Sequence, residues 1–261
     1  MTQISKTNGG AANISARGES SSLAIHGPLN SAGALVTGGS RGIGRAIALR
    51  LARLGANVAI CGRTQAALDE TLVTLRGLGV KAYAHVADVT DSGQVAELIA
   101  ATEKAIGPIS ILVNNAGIGV FGPVQEQSEA NWDNVLDTNL KSVFLVSGAV
   151  VPGMIQRGAG DIINISSLAG LNAFAGGALY CASKWGLQGL TACMVEDLRA
   201  HGIRVGSVCP GSVATDFSGK SAEKKPNALH PEDVAHAVET IVTQAPNSFI
   251  SQLQIRPLRK A

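Results

Sequence analysis

The 261-residue sequence predicts an α/β fold, a single Rossmann-like domain built on a doubly wound parallel sheet of about seven strands with helices on both faces. Three observations predict it. Short apolar runs alternate with helical patterns of roughly 10–15 residues or longer, the signature of βαβ units. Hydrophobic residues make up 46% of the chain, charged residues only 15%, and there are 31 glycines; that balance suits strands covered on both faces by closely packed helices. Finally, the stretch Thr37-Gly38-Gly39-Ser40-Arg41-Gly42-Ile43-Gly44 falls between an apolar run and a helical one. In that context glycine spacing carries meaning, because unpaired N–H groups at a helix start attract anions and glycines let the backbone approach them.

Taken in order, residues 1–32 are rich in Ser, Gly and Asn without periodicity and read as a flexible tail preceding a domain over 33–261. Their frequent Ser and scarce acids suit a transit peptide, but Lys6 and Arg17 are the sole positive charges, so a tail is expected. The first strand is Ala34–Thr37 and its helix runs to Leu54, where Gly55 ends it. Val58–Cys61 is the second strand; Thr64 caps a helix through Leu75. Val80–Val86 is the third strand, and Asp91 caps the helix Ser92–Ile106, stopped by Gly107-Pro108. Ile109–Val113 is the fourth strand. One long helical pattern covers 128–156, with Trp132, Val135 and Leu136 suggesting one face. Asp161–Ile165 and Ile203–Val208 are strands flanking a helix over 178–200. A helix at Pro231–Thr243 and a strand at Ser248–Ile255 complete the pattern. Gly38, Gly62, Asp88, Asn114, Ser166 and Pro210 each follow a strand, where ligands bind on such sheets.

Composition narrows the function. The net charge of +2 is too balanced for nucleic acid as a main partner. No run of about 18 apolar residues predicts a membrane span, and no secretory leader is visible. Cys61, Cys181, Cys193 and Cys209 form no C-x-x-C pair and read as small buried residues of a reducing compartment, implying a cytoplasmic protein. The scattered histidines His85, His201, His230 and His236 lack ligand spacing, so no metal site is expected.

Tyr180 and Lys184 lie four residues apart on a helical stretch and share a face. A phenol of pKa ~10 is a poor acid–base at neutral pH, and bringing it to about 7 takes about 4 kcal/mol. A nearby ammonium favours the phenolate and acts in that direction. The chain's other tyrosine, Tyr83, sits in a strand with no such partner.

Together, TGGSRGIG at 37–44, Asp88-Val89, Asn114-Asn115-Ala116-Gly117, Asn139, NISS at 164–167, YCASK at 180–184 and PGSVAT at 210–215 resemble the short-chain dehydrogenase/reductase family from about Gly33 to Val242. The resemblance implies roles. Tyr180 is the general acid or base. Ser167, thirteen residues before it, orients the carbonyl, with its neighbour Ser166 the lesser choice. Lys184 lowers the Tyr180 pKa and binds the nicotinamide ribose, and Asn139 anchors a proton-relay water. Gly38, Ser40, Arg41, Gly42, Ile43 and Gly44 hold the pyrophosphate. Asp88 and Val89 line the adenine pocket, Asn115, Ala116 and Gly117 lie beside the adenosine ribose, and Pro210, Gly211, Val213 and Thr215 contact the carboxamide. Asn114 instead reads as a sheet-stabilising residue.

No acid follows the second strand; the first is Asp69, inside the next helix. Arg63 and Arg41 can therefore take a 2′-phosphate, so NADP(H) is expected, with NAD(H) the alternative. Lys220, Lys224 and Lys225 fall where the family carries a substrate lid, and read first as a solvated charge run. Trp185 reads as core or subunit interface. The ending ISQLQIRPLRKA departs from 3-oxoacyl reductases of the family, weakening transfer of their substrate and tetramer. The expectation is an NADPH-dependent reductase of a ketone or aldehyde, a 3-oxoacyl thioester included. An NAD-dependent secondary-alcohol dehydrogenase and a non-catalytic dinucleotide-binding regulator are the alternatives. The partners expected are a small-molecule carbonyl or alcohol and further copies of the chain, as homodimer or homotetramer.

Overall fold

The computed structural model describes residues 27–218 and 227–259. Its seven strands are β1 (Gly33–Thr37), β2 (Asn57–Gly62), β3 (Ala82–Val86), β4 (Ile109–Asn114), β5 (Gly160–Ile165), β6 (Ile203–Pro210) and β7 (Gln252–Ile255). All pair in parallel, in the order β3-β2-β1-β4-β5-β6-β7. The chain winds outward from β1 in one direction and from β4 in the other. Loops leaving the carboxyl ends of these neighbours therefore diverge and open a crevice.

Each strand alternates its side chains between two cores, as a period of two dictates. Ala34, Val36, Val58, Ile60, Ile111, Val113 and Ile163 point to one core, shared with α1 (Gly42–Arg53), α2 (Gln65–Arg76) and α7 (Pro231–Val242). Leu35, Ala59, Cys61, Leu112, Ile162 and Val205 point to the other, under α3 (Ser92–Ile106), α5 (Ser142–Arg157) and α6 (Ala178–Leu198). Near-continuous burial along β1, β2 and β5 explains why these strands read as unbroken apolar runs.

The expected elements are present with shifted ends. Asp91 caps α3 by accepting from Gln94 N at 3.0 Å. Thr64 holds the N-cap position of α2 without a side-chain hydrogen bond. The long helix predicted over 128–156 is interrupted: α4 (Glu129–Leu136) and α5 are joined by a π-helical turn, Asp137–Lys141. The combined rod Glu129–Arg157 is long and apolar enough to cross a membrane by length and composition, its most apolar 18-residue window having a mean hydropathy of 1.3. One side of it, Val143, Val146, Val150 and Met154, lies buried in the protein's own core. Val135 is buried as expected, but Trp132 is exposed, because only the α6-facing side of α4 meets the protein.

Two expectations change with burial. Cys193 is exposed on α6, whereas Cys61, Cys181 and Cys209 are buried. Trp185 is 53% exposed and is not a core residue. Residues 1–26 of the expected tail, and Lys220, Lys224 and Lys225, lie outside the described residues. Residues 27–32 make an ordered turn against the α1–β2 connection, with Leu29 N donating to Leu54 O at 3.0 Å and Asn57 N donating to Ala32 O at 2.9 Å.

A buried polar chain ties the second core beneath the site. Asn114 Nδ2 donates to Ser147 Oγ at 3.0 Å and to Asn164 Oδ1 at 2.9 Å. Asn164 Nδ2 in turn donates to Thr191 Oγ1 at 2.9 Å. Asn114 thus acts structurally, through its side chain, and joins β4, β5, α5 and α6. Among the described residues, the Asp161–Arg204 pair makes a second such tie between β5 and β6, at 2.7 and 2.8 Å.

Candidate active site

The site begins at the turn after β1. Gly38 and Gly42 have φ of +63° and +54°, a region that side chains rarely enter. A methyl on Gly44 would collide with the Gly38 carbonyl and lie 2.5 Å from Asn115 Nδ2. At Gly39 it would lie 2.6 Å from Ile60 Cγ2, so this residue, which sequence reasoning passed over, lets the turn settle onto β2. The first turn of α1 carries no acidic residue and no side-chain cap. Its N–H groups thus face a glycine-walled space that any Cβ would narrow, and the helix dipole favours an anion there. These residues fit a dinucleotide's diphosphate.

A latch across the crevice holds this turn. Thr37 Oγ1 accepts from Asn115 N at 3.0 Å and from Ala116 N at 3.1 Å. Asn115 Nδ2 donates to Thr37 O at 2.9 Å and Gly38 O at 3.2 Å. Asn115 is therefore committed to the glycine turn itself, and Thr37, absent from the sequence-derived site, is its counterpart.

Beyond β2, exposed Arg63 lines the cleft together with Arg41 and Ser40. Asp69 lies on α2, where it accepts from Gln65 Nε2 at 2.7 Å. Asp88 accepts from Thr90 N and Thr90 Oγ1 at 3.0 and 2.8 Å, which holds its carboxyl below the usual range. Val89 is part of the second core and forms cleft wall beside it.

The other end of the cleft is built on α6 and the π-helical turn. That turn directs Asn139 fully into the interior. Asn139 Oδ1 accepts from Ile118 N at 2.8 Å, while Nδ2 donates to Ile118 O at 2.9 Å and Ser183 Oγ at 3.0 Å. Ser183 Oγ donates to Tyr180 O at 2.7 Å. Both amide hydrogens of Asn139 are therefore committed to the framework that carries Tyr180. Lys184 is buried, donates from Nζ to Ile165 O at 2.9 Å, and places Nζ 5.8 Å from the Tyr180 ring centroid. The Ser167 hydroxyl lies by the Tyr180 phenol and acts to lower its pKa. Ser167 Oγ also accepts from Ala169 N at 3.1 Å, which aims the residue into the cleft. Ser166, the lesser choice, is buried with no hydrogen-bond partner for its hydroxyl within geometric limits.

Burial dominates the electrostatics here. It pushes the Tyr180 phenol up to about 12, with the Ser167 hydrogen bond opposing, and pulls the Lys184 ammonium down to about 8. The sequence-based expectation of a lowered Tyr180 pKa counts an oxidised nicotinamide beside Lys184; in the protein by itself burial raises it. At neutral pH Tyr180 is a neutral phenol, a proton donor in waiting.

All these elements line one cleft of about 1380 Å³. Every sequence-predicted site residue borders it except Asn139, which stands behind the wall. Pro210, Gly211, Val213 and Thr215 close it opposite the glycine turn, with Thr215 Cγ2 3.3 Å from where a Gly42 Cβ would lie. Sequence reasoning missed Phe121, Phe174, Phe217 and Arg256, which also line it. The signal available was position: the first three follow the ends of β4, β5 and β6 on glycine-containing loops.

Comparison with known proteins agrees with this geometry. The family model described as short chain dehydrogenase matches residues 32–226. A gluconate 5-dehydrogenase from Gluconobacter oxydans is 43% identical over 190 residues, covering 73% of this chain and 74% of that protein. A 3-oxoacyl acyl-carrier-protein reductase from Staphylococcus epidermidis is 40% identical, covering 71% and 76%. A metagenomic short-chain oxidoreductase solved with NADP superposes with a TM-score of 0.79 at 42% identity, covering 89% of this chain and 100% of that one.

The depressed Lys184 pKa has a consequence for stability. The folded state prefers the neutral amine, so stability is present above the unfolded pKa of about 10.5 and falls as pH drops to the folded value near 8. The melting temperature of wild type without cofactor, minus that of Lys184→Met, should therefore rise between pH 8 and 10.5. Tyr180 is common to both proteins and cancels. A difference flat with pH would show that Lys184 is not desolvated.

Proposed function

The chain belongs to the short-chain dehydrogenase family, and from that premise we propose that it is an NADPH-dependent reductase of a ketone or aldehyde carbonyl. Membership makes it an NAD(P)-dependent oxidoreductase acting between C=O and CH–OH. The observation that carries the finer reading is the Ser167–Tyr180 pair above buried Lys184, at one end of a cleft whose other end is the glycine turn.

A nicotinamide bound in the cleft supplies the hydride. The residues of this chain supply the rest. Tyr180 donates its phenolic proton to the carbonyl oxygen, and Ser167 offers a second hydrogen bond to the same oxygen as charge develops there. The Lys184 ammonium favours the phenolate left behind. Asn139 acts as a positioning residue, locking Ile118 and, through Ser183, the backbone of Tyr180. In reduction Tyr180 must enter protonated, the form that burial favours. The relatives' names, gluconate 5-dehydrogenase and 3-oxoacyl acyl-carrier-protein reductase, span polyols and acyl thioesters and do not select a substrate.

NADP(H) is the preferred cofactor in this reading. Arg41 and Arg63 border the cleft beside the turn, and the nearest acid after β2 is held by Gln65 on α2. A homodimer or homotetramer is also proposed. Phe144 on α5 and Trp185 on α6 are 61% and 53% exposed, beside an apolar hollow lined by Leu136, Leu140 and Leu190. Light scattering should give a mass of two or four chains at micromolar protein; a monomer mass would refute this.

Tyr180→Phe should retain NADPH binding and lose about 10²–10⁴-fold in kcat on any carbonyl substrate. Near-normal turnover in the variant would remove Tyr180 from the role. Arg63→Asp should weaken NADPH binding by about 1.5–3 kcal/mol, the scale of a charge-assisted hydrogen bond, while sparing or improving NADH binding. Dissociation constants for both cofactors on both proteins decide this, and equal wild-type affinities would defeat the assignment.

A further inference from the structure

Three of the chain's five phenylalanines converge on Tyr180. They come from three separate loops, after β4, before α6 and after β6. The rings form a continuous arc. Phe174 lies 6.1 Å from Phe121, Phe121 lies 5.5 Å from Tyr180, and Phe217 lies 5.7 Å from Tyr180 on its other side, the last two edge to face. All three border the cleft, and they remain 43%, 49% and 40% exposed for Phe121, Phe174 and Phe217. Large apolar side chains left open inside a concave site mark a surface that an apolar ligand covers.

Two glycines seat these rings. A Cβ on Gly119 would lie 2.7 Å from Phe121 Cε2 and 2.8 Å from Phe217 Cε1. On Gly177 it would lie 2.6 Å from Phe174 Cζ. Neither glycine has a positive φ, so the backbone does not demand glycine at either place. What demands it is the close approach of the rings, which lie directly on the main chain.

We propose that this arc is the substrate subsite and that the chain reduces ketones bearing an aromatic ring next to the carbonyl, in preference to straight-chain or polyhydroxylated ones. The proposal rests on the reductase reading above and names its substrate class. With the carbonyl oxygen between Ser167 and Tyr180, its substituents are directed onto Phe121, Phe174 and Phe217. A flat ring meets these edges and faces in the offset and T-shaped arrangements that aromatic pairs favour. A polyol would leave its hydroxyls against hydrocarbon without partners. The reaction adds a hydride to the ketone carbon and the Tyr180 proton to its oxygen, giving the secondary alcohol and oxidised cofactor.

The test measures kcat/KM with NADPH for an aryl methyl ketone, a straight-chain methyl ketone of equal carbon number, a 3-oxoacyl thioester and a keto-polyol. The aryl ketone should lead by at least about tenfold. In Phe121→Leu and Phe174→Leu its KM should rise at least about fivefold, and at least about threefold more than the KM of the straight-chain ketone. Gly119→Ala, which displaces two rings without altering a proton donor, should shift the aryl KM in the same direction. A lead for the straight-chain, thioester or polyol substrate overturns the inference and leaves the reductase reading intact. Equal losses on all substrates in the Phe variants also overturn it, since they indicate a structural role. Failure to turn over any carbonyl with either cofactor overturns both readings.

Discussion

The cleft depends on the latch between Thr37 and Asn115. Parallel strands β1 and β4 lie side by side, but their loops leave in opposite directions, so the crevice between them has no backbone ladder to hold its mouth. Four hydrogen bonds from these two side chains take over that task. They fix the Gly38 turn against the segment carrying Ala116 and Gly117, and through Ile118 and Asn139 the same segment is tied to α6. The two ends of the site, the glycine turn and Tyr180, are thereby placed in one frame.

Within that frame, burial sets the chemistry more than pairing does. Lys184 and Tyr180 are close, yet desolvation moves each toward its neutral form. A neutral phenol and a weakly held ammonium make a site that becomes strongly polar only when charge develops on a substrate. That is the condition under which preorganised donors contribute most. The three phenylalanines line the Tyr180 end of the cleft, while Arg41 and Arg63 line the other.

Much of this was legible in the sequence. Buried parallel strands announce themselves as apolar runs, and the glycine turn, Asn115, Ser167, Tyr180 and Lys184 stand at positions fixed by strand ends and helical spacing. Other features escaped for physical reasons. The π-helical turn adds one residue without ending the helical pattern, so only the inward placement of Asn139 reveals it. Trp132 reads as part of a helix face and Trp185 as core or subunit interface, and only their neighbours in space show how exposed each is. The Phe arc assembles from residues far apart in sequence, and no local pattern relates them. The direction of the Tyr180 shift depends on burial, which spacing does not encode.

The π-helical turn at 137–141 also constrains how this rod can change. Each residue advances an α-helix by about 100°, so the extra residue of such a turn acts as a phase correction between two amphipathic stripes. Upstream, Val135 keeps α4 in register with α6; downstream, Val143, Val146 and Val150 keep α5 in register with the sheet. Deleting that extra residue would let the rod close into a continuous α-helix with both stripes in phase, at the cost of the turn that carries Asn139 to Ile118. Point substitutions along the outer face, around Phe144, leave the phase untouched. The rod is therefore free to vary in sequence on its outer face, while the one extra residue at its middle is what turns Asn139 inward.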